Sequence, residues 1–399
     1  MVKIRGKRRV GKILLVVVGV ILLIGCFVLV FLVRKGESAL VGAIRANPSK
    51  SAVVAYTIDK QGNMIDDGQS ISINPDTPLV TASIMKVIVL AAYESAVVNG
   101  ELDANEMVPI SDVERYYLPK TDGNAHANGL ASLGIKTDDL GFALDRQASI
   151  KLDDIASIMI HYSGNAETDY LLQRIGIDEV NSVAKMENHT AITPILRTGL
   201  ALTNHEFANL ETNQLNDMIS RMVNGDEQLI RSMENNYLNN SSWRAMQLDF
   251  LRSNEYIKIS NQLGWDGLVR ASYLLPRGTA REYAALMAKI ASGKMISQEV
   301  SRLMQQKLES NPYDGLLRAL FYQKIGDKDG LTTGVISLVT YCTPKNGVMK
   351  GQTRVVVIIS NDIDQKSWMS AYTGQGIYFL QKDLAMARGL FTELMDLQE

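Results

Sequence analysis

Three kinds of hydrophobic run follow one another along the chain. The first is unbroken: ILLVVVGVILLIGCFVLVFLV, Ile13 to Val33, holds 21 residues without a charge. At 1.5 Å per residue a helix of that length covers about 30 Å, the thickness of a bilayer core. Six cations precede it (Lys3, Arg5, Lys7, Arg8, Arg9, Lys12) and only Arg34 and Lys35 follow closely. The positive-inside rule therefore puts residues 1–12 in the cytoplasm and the rest beyond the membrane. The expectation is a single-pass cell-membrane anchor over 13–33, a short polar linker over 34–50 and an extracytoplasmic domain over 51–399.

The second kind of run is extended. AVVAYTID (52–59), the turn KQGN and QSISINP (69–75) predict a β-hairpin, and GVISLVTYCTP and TRVVVIISND around Lys345-Asn346-Gly347 predict another. The third kind is helical. Val87 to Tyr93 is apolar throughout, which predicts a helix buried nearly all round. LDDIASIMIHY (152–162) puts Ile155, Ile158, Met159 and Tyr162 on one stripe. SDVE (Ser111–Glu114) and TARE (Thr279–Glu282) read as capping boxes, and QKDLAMARGLFTELMDL as a closing helix. Strands gather at both ends of the domain and helices in the middle. An α+β fold of three layers, α/β/α, follows, with one antiparallel sheet built from both ends. Residues 205–272, rich in Asn, Met and isolated aromatics, show no clear period and read as an insertion or an extended surface lobe.

Composition removes several functions. With 46% hydrophobic and 21% charged residues among 399, and a net charge of −2, the chain offers no basic footprint for nucleic acid. Two cysteines make no disulfide framework, and four scattered histidines show no zinc spacing. No GxSxG, GxxxxGK[ST] or full GxGxxG occurs, so no cofactor is expected. The segment LIGC, Leu23 to Cys26, is similar to a bacterial lipobox, but seven apolar residues follow Cys26 where a lipoprotein turns polar. A cleaved signal peptide has a shorter apolar core. An uncleaved anchor is the preferred reading; an anchor and a lipid both tether the domain outside.

Chemistry enters at TPLVTASIMKVIVLAAYE, residues 77–94, where Ser83 and Lys86 interrupt an apolar stretch. S-x-x-K alone is cheap: Ser182–Lys185 repeats it with nothing around it to suggest a reaction. The bland alternative is a serine at a helix start and a snorkelling lysine. Position favours the chemical one. Ser83 lies where a loop gives way to a buried helix, whose N-terminus favours developing negative charge. Residues three apart share a helical face, so the Lys86 amine can reach the Ser83 hydroxyl. Burial beside seven apolar residues depresses an amine pKa, which a proton acceptor needs.

Two more clusters fall in order: Ser163-Gly164-Asn165 just past a helix end, and Lys328-Asp329-Gly330 leading into a strand. Their bland readings are a turn and a solvated strand end. Together S-x-x-K, S-x-N and K-[TS]-G resemble the active site of the penicillin-recognising serine enzymes, nearest to class A β-lactamases. The stretches SINPDTPLVTASIMKVIVLAAYE, YSGNAETDYLLQRIG and GTAREYAALMAKIASG look like that family as well; coverage is 50–205 and 272–395. The resemblance implies that Ser83 is acylated, that Lys86 accepts or relays its proton, and that Ser163 passes a proton to the leaving nitrogen. It further implies that Asn165 holds the substrate amide and Lys86, and that Lys328 supplies positive charge to Ser163 and a substrate carboxylate. The N–H groups of Ser83 and Leu331 would form the oxyanion hole, and Asp329 and Gly330 would stand beside the substrate.

Two departures stand against the family pattern. Asp329 replaces a hydroxyl that donates to the substrate carboxylate; ionised, it cannot donate and it repels. No E-x-x-L-N loop occurs; ETNQLN (Glu211–Asn216) has one residue too many, so Glu211 is a weak candidate base against the simpler reading of a surface glutamate. The functional expectation is an anchored serine hydrolase or acyl-transferase acting on a peptidoglycan-type peptide or a β-lactam. A degenerate relative serving as a cell-wall binding or scaffolding module is the alternative, and a true β-lactamase a third reading.

Overall fold

The computed structural model describes residues 35–186, 189–310 and 315–396. The expected anchor over 13–33 and Cys26 lie outside them. Among the described residues no helix is long and apolar enough to cross a membrane.

Strands β1 (Ser51–Ile58), β2 (Met64–Ile65) and β3 (Ile71–Ile73) open the domain. Four short strands follow in two antiparallel pairs. β4 (Leu79–Val80) and β7 (Arg277–Gly278) form one; β5 (Met107–Pro109) and β6 (Ser149–Lys151) form the other. β8 (Tyr322–Thr332), β9 (Val335–Pro344) and β10 (Thr353–Ser360) complete the chain's strands. The central sheet runs β2-β1-β10-β9-β8, with β3 also on β1. Its seam is β1 against β10, antiparallel from Ser51↔Ser360 to Ile58↔Thr353, so the two ends of the domain meet as expected.

Alternation on β10 builds both cores. Val355, Val357 and Ile359 face the helices Lys86–Val98, Ala280–Ala291 and Gln298–Glu309; Val356 and Ile358 face the helices at the two ends of the chain. The result is the three-layer α/β/α arrangement.

Several expectations change. Residues 35–46 are helical, not a linker: Leu40, Val41 and Ile44 are buried on the sheet's second face. Gly36 packs so closely that a Cβ there would meet the Gly374 Cα at 2.9 Å. SDVE does not cap: Pro109 precedes the helix Ile110–Glu114, and Glu114 turns inward to accept the Ala143 amide. TARE does cap, with Thr279 and Glu282 bonding reciprocally. The closing helix is two, Gly376–Ala385 and Leu390–Met395, broken at Gly389 with φ 58°. Residues 205–272 form a helical lobe of Thr212–Val223, Glu227–Asn239, Ser241–Arg252 and Tyr256–Ser272, the last of these broken by a kink at Gly264. Its own core includes Ile219, Met222, Ile230, Met233, Tyr237, Trp243 and Ile259.

Candidate active site

The turn that carries Ser83 is held from three sides. The Thr81 amide and hydroxyl both donate to the Pro276 carbonyl, at 3.0 and 2.9 Å. Ser337 Oγ on β9 donates to the Thr81 carbonyl at 2.7 Å, and Asn361 exchanges two bonds with the Val80 backbone. Between these pins Ala82 takes φ 48°, a left-handed conformation that costs a non-glycine residue about 1–3 kcal/mol and persists only where its surroundings impose it. Ala82–Met85 then forms a 3-10 turn and Lys86 begins the helix Lys86–Val98. The hydroxyl and the amine thus belong to adjoining turns.

Lys86 is fully buried. Its ammonium donates to the Ser163 carbonyl at 2.6 Å, to Ser163 Oγ at 3.2 Å and to Asn165 Oδ1 at 2.8 Å. Burial, reinforced by the positive charge of Lys328, pulls its pKa down to about 7, against the opposing pull of Glu167, Asp169 and Asp122. The second cluster is shaped for this contact. Ser163 adopts φ 67° after the helix Leu152–His161, and Asn165 starts the helix Asn165–Ile175. Gly164 leaves room beneath it: a Cβ there would lie 2.0 Å from Glu167 Oε2. A larger residue at the middle of the triplet would displace the loop that receives Lys86.

The third cluster lies within β8 rather than ahead of it. Gly330 permits a close approach of backbone to backbone, since a Cβ would stand 2.7 Å from the Ser83 nitrogen and 2.8 Å from the Thr81 carbonyl oxygen. β8 therefore passes directly alongside the Ser83 amide. Lys328 is buried, and its ammonium donates to the Asp329 carbonyl at 2.9 Å and to Asp329 Oδ1 at 3.1 Å. Tyr378, on the helix Gly376–Ala385, donates to Asp329 Oδ2 at 2.9 Å. Burial alone would raise the Asp329 pKa; the Lys328 charge and the bonds from Lys328 and Tyr378 outweigh it and hold the carboxyl below the ordinary range.

One cavity of about 1170 Å³ joins the three clusters, lined by Ser83, Ser163, Asn165, Lys328, Asp329 and Leu331 among others. The lobe helix Tyr256–Ser272 closes one side with Tyr256, Ser260 and Leu268. Glu211 is not brought in. It is exposed at the N-terminus of the helix Thr212–Val223, in a reciprocal cap with Gln214. The second S-x-x-K, Ser182–Lys185, lies on the helix Ile177–Met186, where Ser182 Oγ bonds the Asp178 carbonyl.

Sequence reasoning missed two supports. Behind Ser163 to Asn165 lies a buried His126, its Nδ1 2.5 Å from Glu167 Oε1 and its Nε2 3.8 Å from Glu114 Oε1. Burial opposes the charged imidazole, but the two carboxylates prevail and push its pKa up to about 10. The only signal was Glu167 two residues after Asn165, in the first turn of a helix. Tyr378 carried none, being a lone tyrosine in an apolar run.

A family model, the Beta-lactamase enzyme family, matches residues 43–347. Among solved structures, a variant of the class A beta-lactamase of the last common ancestor of Gram-negative bacteria is 12% identical, covering 89% of this chain and 96% of its own, with a TM-score of 0.50. The beta-lactamase from Sphaerobacter thermophilus is 15% identical over 86% of this chain and 96% of its own, with a TM-score of 0.48. PBP-A is 14% identical over 84% and 90%, with a TM-score of 0.46. No curated protein matches the sequence.

Proposed function

Since the chain belongs to the beta-lactamase enzyme family and is a serine hydrolase, we propose that Ser83 is its nucleophile and that it forms an acyl-enzyme with an amide substrate. Ser83 Oγ attacks the carbonyl carbon while neutral Lys86 takes the hydroxyl proton. The carbon–nitrogen bond then breaks as Ser163 delivers its proton to the departing nitrogen and takes back from Lys86 the one removed from Ser83. The amides of Ser83 and Leu331 face the developing oxyanion, and Asn165 holds the Lys86 amine and the substrate amide. Water or an amine later displaces the acyl group and returns the proton to Ser83.

One observation carries this reading: Lys86 is fully buried, is bonded to both Ser163 and Asn165, and has a pKa near 7. A structural lysine at a helix start has no need of that environment. Among the described residues, the carboxylates lining the cavity, Asp122, Asp327 and Asp329, are all engaged, by the amides of His126 and Asn124, by Arg318, and by Lys328 with Tyr378. None is free to activate water, which favours a long-lived acyl-enzyme and transfer over rapid hydrolysis. The substrate class is a cell-wall peptide or β-lactam, and the run Ile13–Val33 would anchor the domain outside a cell membrane.

Labelling by a fluorescent penicillin or a fluorophosphonate, read by mass spectrometry, tests this. Adduct on Ser83 that disappears in Ser83→Ala supports it. No adduct from either reagent leaves a scaffolding domain of the same fold.

A further inference from the structure

The cation that ought to receive a substrate carboxylate is already occupied from within the chain. Lys328 and Asp329 are neighbours on β8, yet the Lys328 ammonium folds back onto Asp329 Oδ1 at 3.1 Å and onto its carbonyl at 2.9 Å. The other carboxylate oxygen accepts from Tyr378 at 2.9 Å. Tyr378 is itself fixed, because its helix begins at Gly376, where a Cβ would meet the Gly36 carbonyl oxygen at 2.4 Å. Two elements, β8 and the helix Gly376–Ala385, therefore meet on a single carboxylate that lines the cavity and keeps 30% of its side-chain surface exposed.

Of the other cations lining the cavity, Arg318 and Lys382 have partners close to β8, while Lys120 belongs to the segment Lys120–Gly123. Arg318 lies 2.5 Å from Asp327 Oδ2. Lys382 sits over the Phe321 and Phe379 rings, at 5.5 and 4.6 Å. A free carboxylate arriving beside Ser83 would meet a neutral pair whose exposed partner is anionic, and would have to dislodge Asp329 to reach Lys328. A neutral amide meets no such barrier, and its N–H can donate to an Asp329 oxygen.

We infer that Asp329 is a built-in occupant of the anion subsite, and that the substrate presents an uncharged amide or ester there instead of a free carboxylate. The inference rests on the acyl-enzyme reading above and narrows its substrate class to carboxylate-free acyl donors, such as an amidated or internal peptide bond.

The test compares second-order acylation of full-length, detergent-solubilised protein by a fluorescent penicillin and by the methyl ester of the same compound. A neutral fluorophosphonate reports the nucleophile independently. The wild type is expected to react faster with the ester. Removing the like charge in Asp329→Thr, or in the isosteric Asp329→Asn, should raise the acid-to-ester rate ratio by at least about tenfold. A wild type that prefers the free acid, or a ratio unmoved in both variants, overturns the inference while leaving the acyl-enzyme intact. A wild type inert to both β-lactams but open to the fluorophosphonate supports it only if Asp329→Thr gains reaction with the free acid, and counts against it otherwise. Failure of all three reagents removes the acyl-enzyme and this inference with it.

Discussion

Asn165→Asp tests the proton acceptor most directly, because it alters charge with almost no change in shape. An amine with the ordinary pKa of 10.5 would be neutral in about one molecule in 3,000 at pH 7; with a pKa of about 7, half of the Lys86 side chains are neutral there. Wild-type acylation should therefore climb about tenfold per pH unit below 7 and level off above it. Asn165 Oδ1 lies 2.8 Å from the Lys86 nitrogen. A negative charge at that distance favours the ammonium by about 1.5 kcal/mol in a water-like dielectric and about 6 kcal/mol at an effective constant near 20. The smaller figure already raises the pKa by about one unit. The midpoint should move above about 8, and the neutral fraction at pH 7 should fall to about a tenth or less. The assay is acylation of Ser83 from pH 5 to 10, read as the midpoint rather than the plateau, since in the proposed mechanism Asn165 would also contact substrate. A wild-type midpoint near 10, or one that stays put in Asn165→Asp, refutes a depressed Lys86 as the base.

Three further outcomes are expected. Gly330→Ala forces a methyl group against the Ser83 nitrogen and the Thr81 carbonyl, which are backbone atoms that cannot turn away; acylation should fall about a hundredfold, and an unchanged rate would show that β8 need not approach the turn. His126→Gln should cost about 3 kcal/mol in urea denaturation at pH 6. Because the folded pKa is raised from 6.5 to about 10, the charged pair contributes fully below about 6.5 and fades as pH rises towards 10, so an equal penalty at pH 6 and 9.5 would refute it. Trp265→Ala removes the indole bond to the Ile363 carbonyl and an edge contact with Trp368, so the lobe should open to limited proteolysis within 205–272 faster than wild type; unaltered cleavage would mean the lobe is held elsewhere.

Much of the fold was legible because its signals are local. The strands of the seam are dense in β-branched residues, the helix after Ser83 is apolar on all sides, and the TARE cap needs only four residues. The three polar clusters could be read in order, and the structure places Ser83, Ser163, Asn165 and Lys328 around one cavity. What stayed hidden depends on distant partners. The helices of 205–272 are short, with 12 or 13 residues in each of the first three and a kink at Gly264 dividing Tyr256–Ser272. They bury narrow stripes against one another, so polar side chains and asparagine caps dominate the string. Leu40, Val41 and Ile44 carry a helical spacing, but too few residues separate them from the charged flank to stand out. His126 becomes part of the site only because two glutamates, 12 residues before it and 41 after it, turn towards it. Nor could spacing reveal that Asp329 bonds its own neighbour, since that is a matter of rotamer and of Tyr378 arriving from the far end of the chain.

The glycine contact between residue 36 and residues 374–376 has a mechanical consequence. If Ile13–Val33 is an anchor as proposed, the helical residues 35–46 that follow it are packed onto the body of the domain and tie the two together. The cleft would then stand at a set height and tilt above the lipid surface, like a tool on a short rigid mount. Only material held at that one level could be processed. Lengthening the mount by a few flexible residues would change which layer of the envelope is served while leaving the chemistry of the cleft untouched.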